Sequence, residues 1–417
     1  MRSNLLCAAL VLACVPALSA QDSTTILKGT SLTIKGSAGV DDLTIEGVVG
    51  LTDGEAPTPV DVLVTPNNGS TLNGATDPVT FPGVLKLKIV LSAGSDVLHV
   101  TDFDFASNPV TLNAGPGDDQ VFLTNTITGA FKFIGSSGND TFNLSGSHLG
   151  STKVTGSSGV LTMPAVSTYF HDLKLTSGPE IDVLNWNDVT VDFNFKLNTG
   201  GGSDLVTFTD GTVGAETTLK LGGGNDEFTD DAGDYGEFVT MIAGGGDDDV
   251  VFEDSLIGNA LNVKLNGGLN KLTFRAQDDD VIVGNSTTIT GGGQLDTVKM
   301  EAFVPPRFIL IGNDLIVALK SGANELQLTG DVETGNDLRY TGGGLDDVVD
   351  MDGTSVGNDC NLVLSNGFND AILNDCSVGN DLRITAGSGD DTVQLTGTTT
   401  VGGLTLISLG GGNNIEP

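Results

Sequence analysis

Along most of the chain, apolar and polar side chains alternate in short runs, as in "LVTFT" at 205–209 and "TVQLT" at 392–396, and glycine-rich turns separate the runs. A period of two is the signature of a β-strand with one face buried, and no stretch shows the helical stripe. The turns themselves recur: Gly222-Gly223-Gly224-Asn225-Asp226 is followed by Gly244-Gly245-Gly246-Asp247-Asp248. Taking the residue two before the first inward apolar side chain as a reference slot, the slots fall at Asp41, Asp96, Asp119, Asp140, Gly159, Asp182, Asp204, Asp226, Asp248, Asn270, Asp296, Asn324, Asp347, Asp370, Asp391 and Asn413. From Asp182 to Asn270 every step is 22 residues. About ten residues past each slot a second corner appears, such as "VGND" at 356–359 and 378–381, and a second strand follows it.

A unit this short cannot bury a core alone, so neighbouring units must stack in parallel and in register. The pattern therefore predicts an all-β fold, a single-stranded right-handed parallel β-helix (β-solenoid) with about 22 residues per rung. Sixteen slots at a strand spacing of roughly 4.8 Å give a rod of roughly 70 Å. Two interruptions stand out: a proline-rich excursion at 47–84, read as a flap off one rung, and a short insertion at 301–307. No linker divides the remainder, so residues 21–417 read as one continuous β-helix.

Composition narrows the picture. The chain has 417 residues, 59 of them glycine, and a formal charge of -36, a field that repels nucleic acid and acidic lipid and attracts cations. Residues 1–20, with one Arg, an apolar run and small residues at the end, have the layout of a secretory signal peptide. The expected location is secreted or cell-surface, with the mature chain starting near Gln21; a lipoprotein cut before Cys14 is the alternative. No other stretch is long and apolar enough to be a transmembrane segment. Cys360 and Cys376 could pair in an oxidising compartment, but the register places Cys376 above Thr354 rather than above Cys360.

The turns Gly200-Gly201-Gly202-Ser203-Asp204, Gly115-Pro116-Gly117-Asp118-Asp119 and Gly387-Ser388-Gly389-Asp390-Asp391 resemble the G-G-x-G-x-D turn of hemolysin-type (RTX) calcium-binding repeats. The wider unit, "VGNDLRITAGSGDDTVQLTG", resembles repeats of large secreted bacterial β-helix proteins. RTX units recur every nine residues, whereas this chain has one acidic turn per 22. The resemblance implies Ca2+ as a cofactor, with Asp119, Asp140, Asp182, Asp204, Asp226, Asp248, Asp347, Asp370 and Asp391 as candidate ligands along one edge; the glycine–asparagine edge shows no matching acid. The competing reading is structural: an Asp in such a turn can cap backbone amides and do nothing more.

A second constellation is basic. Lys88, Lys132, Lys153, Lys174, Lys196, Lys220, Lys264, Arg339 and Arg383 fall at nearly one place in the unit, nine of 18 basic residues. Lys132, Lys153, Lys174, Lys196 and Lys220 occupy consecutive rungs and are the candidate glycan-binding residues. They either bind an extracellular anionic polysaccharide or cell-surface matrix, or keep an exposed strand soluble. Trp186 falls in the column of Leu144 and Phe208 and reads as core. His99, His148 and His171 have no metal-ligand spacing, and no catalytic motif is present. Three functions remain open: a secreted structural or adhesive rod, stabilised by calcium in one version; an anionic-polysaccharide binder; and a β-helix polysaccharide lyase or hydrolase, which rests on fold analogy alone.

Overall fold

The computed structural model describes residues 22–48, 59–105, 108–156, 159–303 and 306–417. The expected leader 1–20, the alternative cut at Cys14, Pro57 of the excursion, and Val304 and Pro305 of the insertion lie outside the described residues. Within them no residue is helical, and the strands join into one mainly parallel sheet wound as a β-solenoid of about 14 turns with about 22-residue spacing. At roughly 4.8 Å per turn the rod is roughly 65 Å long.

A regular rung has three strands, not two. Leu205–Thr209, Thr212–Val213 and Thr217–Gly223 each pair in parallel with their counterparts one rung on, Glu227–Asp231, Asp234–Tyr235 and Val239–Gly245. The extra two-residue strand is too short to show an alternation, so it hides in the sequence as part of the second corner. Between the first and second strands lies a corner six residues past the slot, where Asp102, Asp188, Asp210 and Asp254 hold φ of 48°, 53°, 52° and 49°. Asp is one of the few residues besides glycine that visit this left-handed conformation, and here its side chain bonds to the neighbouring rung, as Asp102 accepts from Asn125 at 3.0 Å and Asp188 from Ser167 at 2.8 Å.

The glycine turn is fixed by stacking as much as by conformation. A Cβ on Gly222 would lie 1.9 Å from the Gly200 carbonyl oxygen, and one on Gly224 would lie 1.8 Å from that of Gly202. Both residues also have positive φ, 102° and 122°. Glycine is needed here for two independent reasons, which is why the turn repeats so visibly.

Inward columns of Leu, Val, Ile and Phe run the length of the rod. Trp186, 4% exposed, stacks on Phe208 at 4.7 Å and donates its Nε1–H to the Met163 carbonyl at 3.2 Å, so it belongs to the core as its column implied. Cys360 and Cys376 are buried and unbridged. The amino-terminal end is closed by antiparallel pairing of Asp22–Lys28 with Ser31–Lys35. Residues 59–84 of the excursion are sheet rather than flap: Val60–Pro66 pairs antiparallel with Asp42–Val48 and with Val79–Val84, burying Val62, Val64 and Val84. Pro59 and Pro78 lie just before these strands, where a missing amide costs no ladder bond.

Candidate functional site: a buried acidic ladder and an exposed lysine column

The slot residues form a side-chain ladder. Each backbone N–H donates to the carboxyl or amide Oδ1 of the slot one rung on: Asp41 to Asp96 at 2.7 Å, Asp96 to Asp119 at 2.8 Å, Asp182 to Asp204 at 2.8 Å, Asp204 to Asp226 at 2.8 Å, and Asp226 to Asp248 at 3.0 Å. Asn270, Asn324, Asn369 and Asn414 accept in the same way, from Asp248, Asp296, Asp347 and Asp391. At the amino-terminal end the Ser23 hydroxyl donates to Asp41 Oδ1 at 2.8 Å.

Three slots differ from the sequence alignment. Asn369, not Asp370, is the rung member: Asp370 pairs with Val348, one residue past the slot, and its side chain is exposed. Asp370 is thus outside the ladder. At the carboxy-terminal end the member is Asn414 rather than Asn413. In place of Gly159 stands Leu161, which donates its N–H to Asp182 Oδ1 at 2.7 Å but has no side-chain acceptor; the Asp140 N–H turns to the Val160 carbonyl at 2.8 Å. The other candidates, Asp119, Asp140, Asp182, Asp204, Asp226, Asp248, Asp347 and Asp391, all share the column and are buried.

Burial decides their chemistry. The second oxygens, Oδ2, of Asp96, Asp119, Asp226 and Asp248 are buried and accept no hydrogen bond within the described residues. In the asparagine rungs the same position is Nδ2, which donates to the carbonyl two residues back: Gly268 at 3.3 Å, Gly322 at 3.2 Å and Gly367 at 3.4 Å. In other acidic rungs this oxygen accepts a turn amide, Asp41 from Ser37 at 2.6 Å and Asp296 from Gly292 at 2.8 Å, whereas in the four named above it is left without a partner, which a proton or a cation would supply. Burial, partly offset by the accepted hydrogen bonds, pushes Asp96, Asp140, Asp182 and Asp226 up to about 7, and Asp119 and Asp248 to about 6. The donor set fits either a shared proton or a hard divalent ion.

The opposite edge has an acidic ladder of its own, contrary to the sequence reading. Asn336, Asn358 and Asn380 donate their Nδ2 to Asp314, Asp337 and Asp359 at 2.7, 2.8 and 2.7 Å. Arg339 pairs with Asp337 at 2.7 Å and Arg383 with Asp381 at 2.9 Å. Burial acts to raise Asp337, but the Asp359 amide, Asn358 and Arg339 hold it below the usual carboxylate range. The "GND" signal was visible, but its Asp closes the corner instead of following a glycine run.

Two further acidic features escaped the sequence pattern. Asp230 is fully buried among the aromatic rings and accepts from the Tyr235 hydroxyl at 2.9 Å and the Ser255 hydroxyl at 2.7 Å; burial pushes it up to about 7. Asp231, Glu253 and Asp254 place carboxylate oxygens within 4.8 Å of one another. Glu253 is already paired with Arg275 at 2.8 Å, and Asp254 accepts the Gln277 and Asp278 amides at 2.8 and 3.0 Å.

The lysine column is shorter and straighter than expected. Lys132, Lys153, Lys174 and Lys196 are strict register partners, and all four are exposed. Lys88 reaches the same column through Thr111, and Arg339 and Arg383 lie in it farther along. Lys220 does not: Lys196 pairs with Thr218, and Lys220 stands two residues on, in the outward column of Asn198, Ile242 and Lys264. Alternation has a period of two, so a shift of two residues leaves the inward–outward pattern unchanged and the sequence cannot detect it. No protein-family model and no curated protein matches the chain.

Proposed function

We propose that the chain is a secreted structural or adhesive rod whose acidic rungs take up calcium outside the cell. The observation that supports this most is the slot ladder, which runs from Asp41 to Asp140 and, past the gap at Leu161, from Asp182 to Asn414, and in which several buried carboxyl oxygens lack a partner that a proton or a cation would supply. Such a spine rigidifies a long molecule without building a unique cleft, and each added rung extends the rod by roughly 4.8 Å. Calcium would join the ladder oxygens to the glycine-turn carbonyls, both hard oxygen ligands. Secretion rests on residues 1–20. The full chain, expressed in bacteria, should be recovered processed in the medium or on the cell surface, and cells displaying it should attach to a matrix-coated surface better than cells without it. Retention inside the cell, or release of new chain ends from a polysaccharide by the purified protein, would remove this reading.

A further inference from the structure

The four lysines pose a charge problem that the fold does not solve. The chain has 54 acidic and 18 basic residues, yet none of Lys132, Lys153, Lys174 and Lys196 has a carboxylate oxygen within 4.0 Å among the described residues. Where the same column carries Arg339 and Arg383, an Asp two residues earlier pairs with each. The corresponding residue before Lys174 is Asp172, but its oxygens accept from Ser151 at 3.2 Å and from Asn194 at 3.3 Å. Four ammonium groups at roughly 4.8 Å intervals thus repel one another along a strand face with no ion-pair partner, Asp172 being the one carboxylate among the residues that line the groove beside them.

Shape supports a ligand at this place. Lys153, Lys174 and Lys196, with Ser151, Asn194 and the single carboxylate of Asp172, line an open groove of about 300 Å³. Beyond Lys196 the column continues as Thr218, Thr240, Asn262 and Thr288 along a second groove of about 470 Å³, flanked by Glu216 and the exposed Phe238. The track therefore runs along the rod axis, cationic at one end and lined by hydroxyl and amide groups at the other. On its shoulder, three residues before Lys174 and Lys196, His171 and Phe193 meet edge to face at 4.5 Å, and Phe193 is 47% exposed.

We infer that this column is the binding track for an anionic polysaccharide laid along the rod, its acid groups on the lysines and its sugar faces against Phe193 and Phe238. A chain of sugar acids carries carboxylates at a spacing of the same order as the rung spacing of roughly 4.8 Å, so a segment laid along the rod can set several of them against the lysine row. Rings carry apolar faces that stack on aromatic side chains, which acidic peptides lack. Hydroxyl-bearing rungs beyond Lys196 suit the neutral oxygens of a sugar better than a dense polyanion such as nucleic acid. The inference deepens the rod reading by naming the matrix component that the rod would grip.

The test uses the full chain with polygalacturonate as probe, and with polyglutamate, a single-stranded oligonucleotide and neutral dextran as comparisons. Lys153→Thr, Lys174→Thr and Lys196→Thr together reproduce what Thr111, Thr218 and Thr240 already place in this column, so folding is expected to survive and is verified by melting and by small-angle scattering. Wild type should bind polygalacturonate at low salt and more weakly at about 150 mM, where screening shortens the reach of the charges. The triple variant should bind at least tenfold more weakly, and Phe193→Ala should weaken the polygalacturonate complex alone. No binding by wild type, undiminished binding by a folded triple variant, or equal binding of polyglutamate or the oligonucleotide each overturns the inference. A variant that loses the polymer but keeps its scattering length and surface location leaves the rod intact; loss of polymer binding by wild type at the surface would sink the inference without touching the rod.

Discussion

Asp230 occupies the place that Phe208 and Phe252 hold in the rungs on either side. An ionised carboxylate there would be costly, and the two hydroxyls that donate to it, from Tyr235 and Ser255, replace only part of its hydration. Its folded value of about 7 lies above the unfolded value of roughly 3.9. The folded state therefore holds the proton more tightly, and the stabilisation is fully present below about pH 4 and is lost as pH rises through about 7. Asp230→Asn imitates the protonated form. Its melting temperature should match wild type near pH 4 and exceed it near pH 8. Asp230→Phe would extend the aromatic column; Ser255 could still donate to the Glu253 carbonyl at 2.9 Å, but the buried Tyr235 hydroxyl would lose its acceptor, at a cost of about 1–3 kcal/mol. Equal pH dependence of wild type and Asp230→Asn would show that Asp230 does not titrate in this range.

At the scale of the rung edge, the same sign applies to a row of carboxyls. Asp96, Asp140, Asp182 and Asp226 at about 7, and Asp119 and Asp248 at about 6, all lie above the unfolded value, so without a divalent ion the ladder should stabilise the fold fully below about pH 4 and progressively less up to about pH 7. Facing charges come both from the ladder, where Asp119 adds to Asp96 and Asp204 and Asp248 add to Asp226, and from the turns beside it, where Asp118 adds to Asp119 and Asp140, Asp247 to Asp248 and Glu180 to Asp182. Calcium competes with the proton for the same oxygens and should restore melting temperature at pH 7, while a chelator lowers it. Changing Asp204, Asp226 and Asp248 to Asn puts Nδ2 where Asn270 and Asn324 already place it. That variant should melt higher than wild type in chelator at pH 7 and respond less to calcium. Identical melting in millimolar calcium and in chelator would confine the ladder to protons.

This edge also shows which signals the sequence carries. The glycine turn and its spacing were legible because close stacking admits no Cβ at Gly222 or Gly224, so the composition itself records the geometry. The core side of the strands, including Trp186, was legible from alternation. Register was not. Asn369 and Asp370 are adjacent and equally polar, and only the Asp347 amide, which donates to Asn369 at 2.9 Å, distinguishes the ladder member from its exposed neighbour. Lys220 was misplaced by two residues for the period-two reason, and Asp230 was invisible because a polar residue in an inward column reads as a gap in the pattern. The candidate edge was thus found, but its exact members depend on hydrogen bonds that span 22 residues.

For the whole molecule, stacking of near-equivalent rungs implies that stability is spread along the rod, each turn being supported by its neighbours on both sides. The unit that can be removed without disturbing register is the interval between equivalent slots. Deleting residues 348–369 joins Asp347 to Asp370, which is already the residue that follows a slot, and brings Leu373 onto Leu328 in place of Met351. Asn369 is lost, and Asp347 can then donate its amide to Asp391 as Asn369 did, at 3.2 Å in the intact chain. Arg383 comes to lie next to Arg339, but each keeps its own Asp partner, Asp381 and Asp337. The shortened chain should remain folded, lose roughly 5 Å from its maximum dimension in small-angle scattering, and melt in a single transition within a few degrees of wild type. Deleting only half a period, residues 348–358, joins Asp347 to Asp359, lays the Cys360–Ser365 strand over the unlike Glu325–Thr329 strand and should fail to fold. If both deletions behave alike, the rungs are not the interchangeable units that their shared ladder and core columns make them.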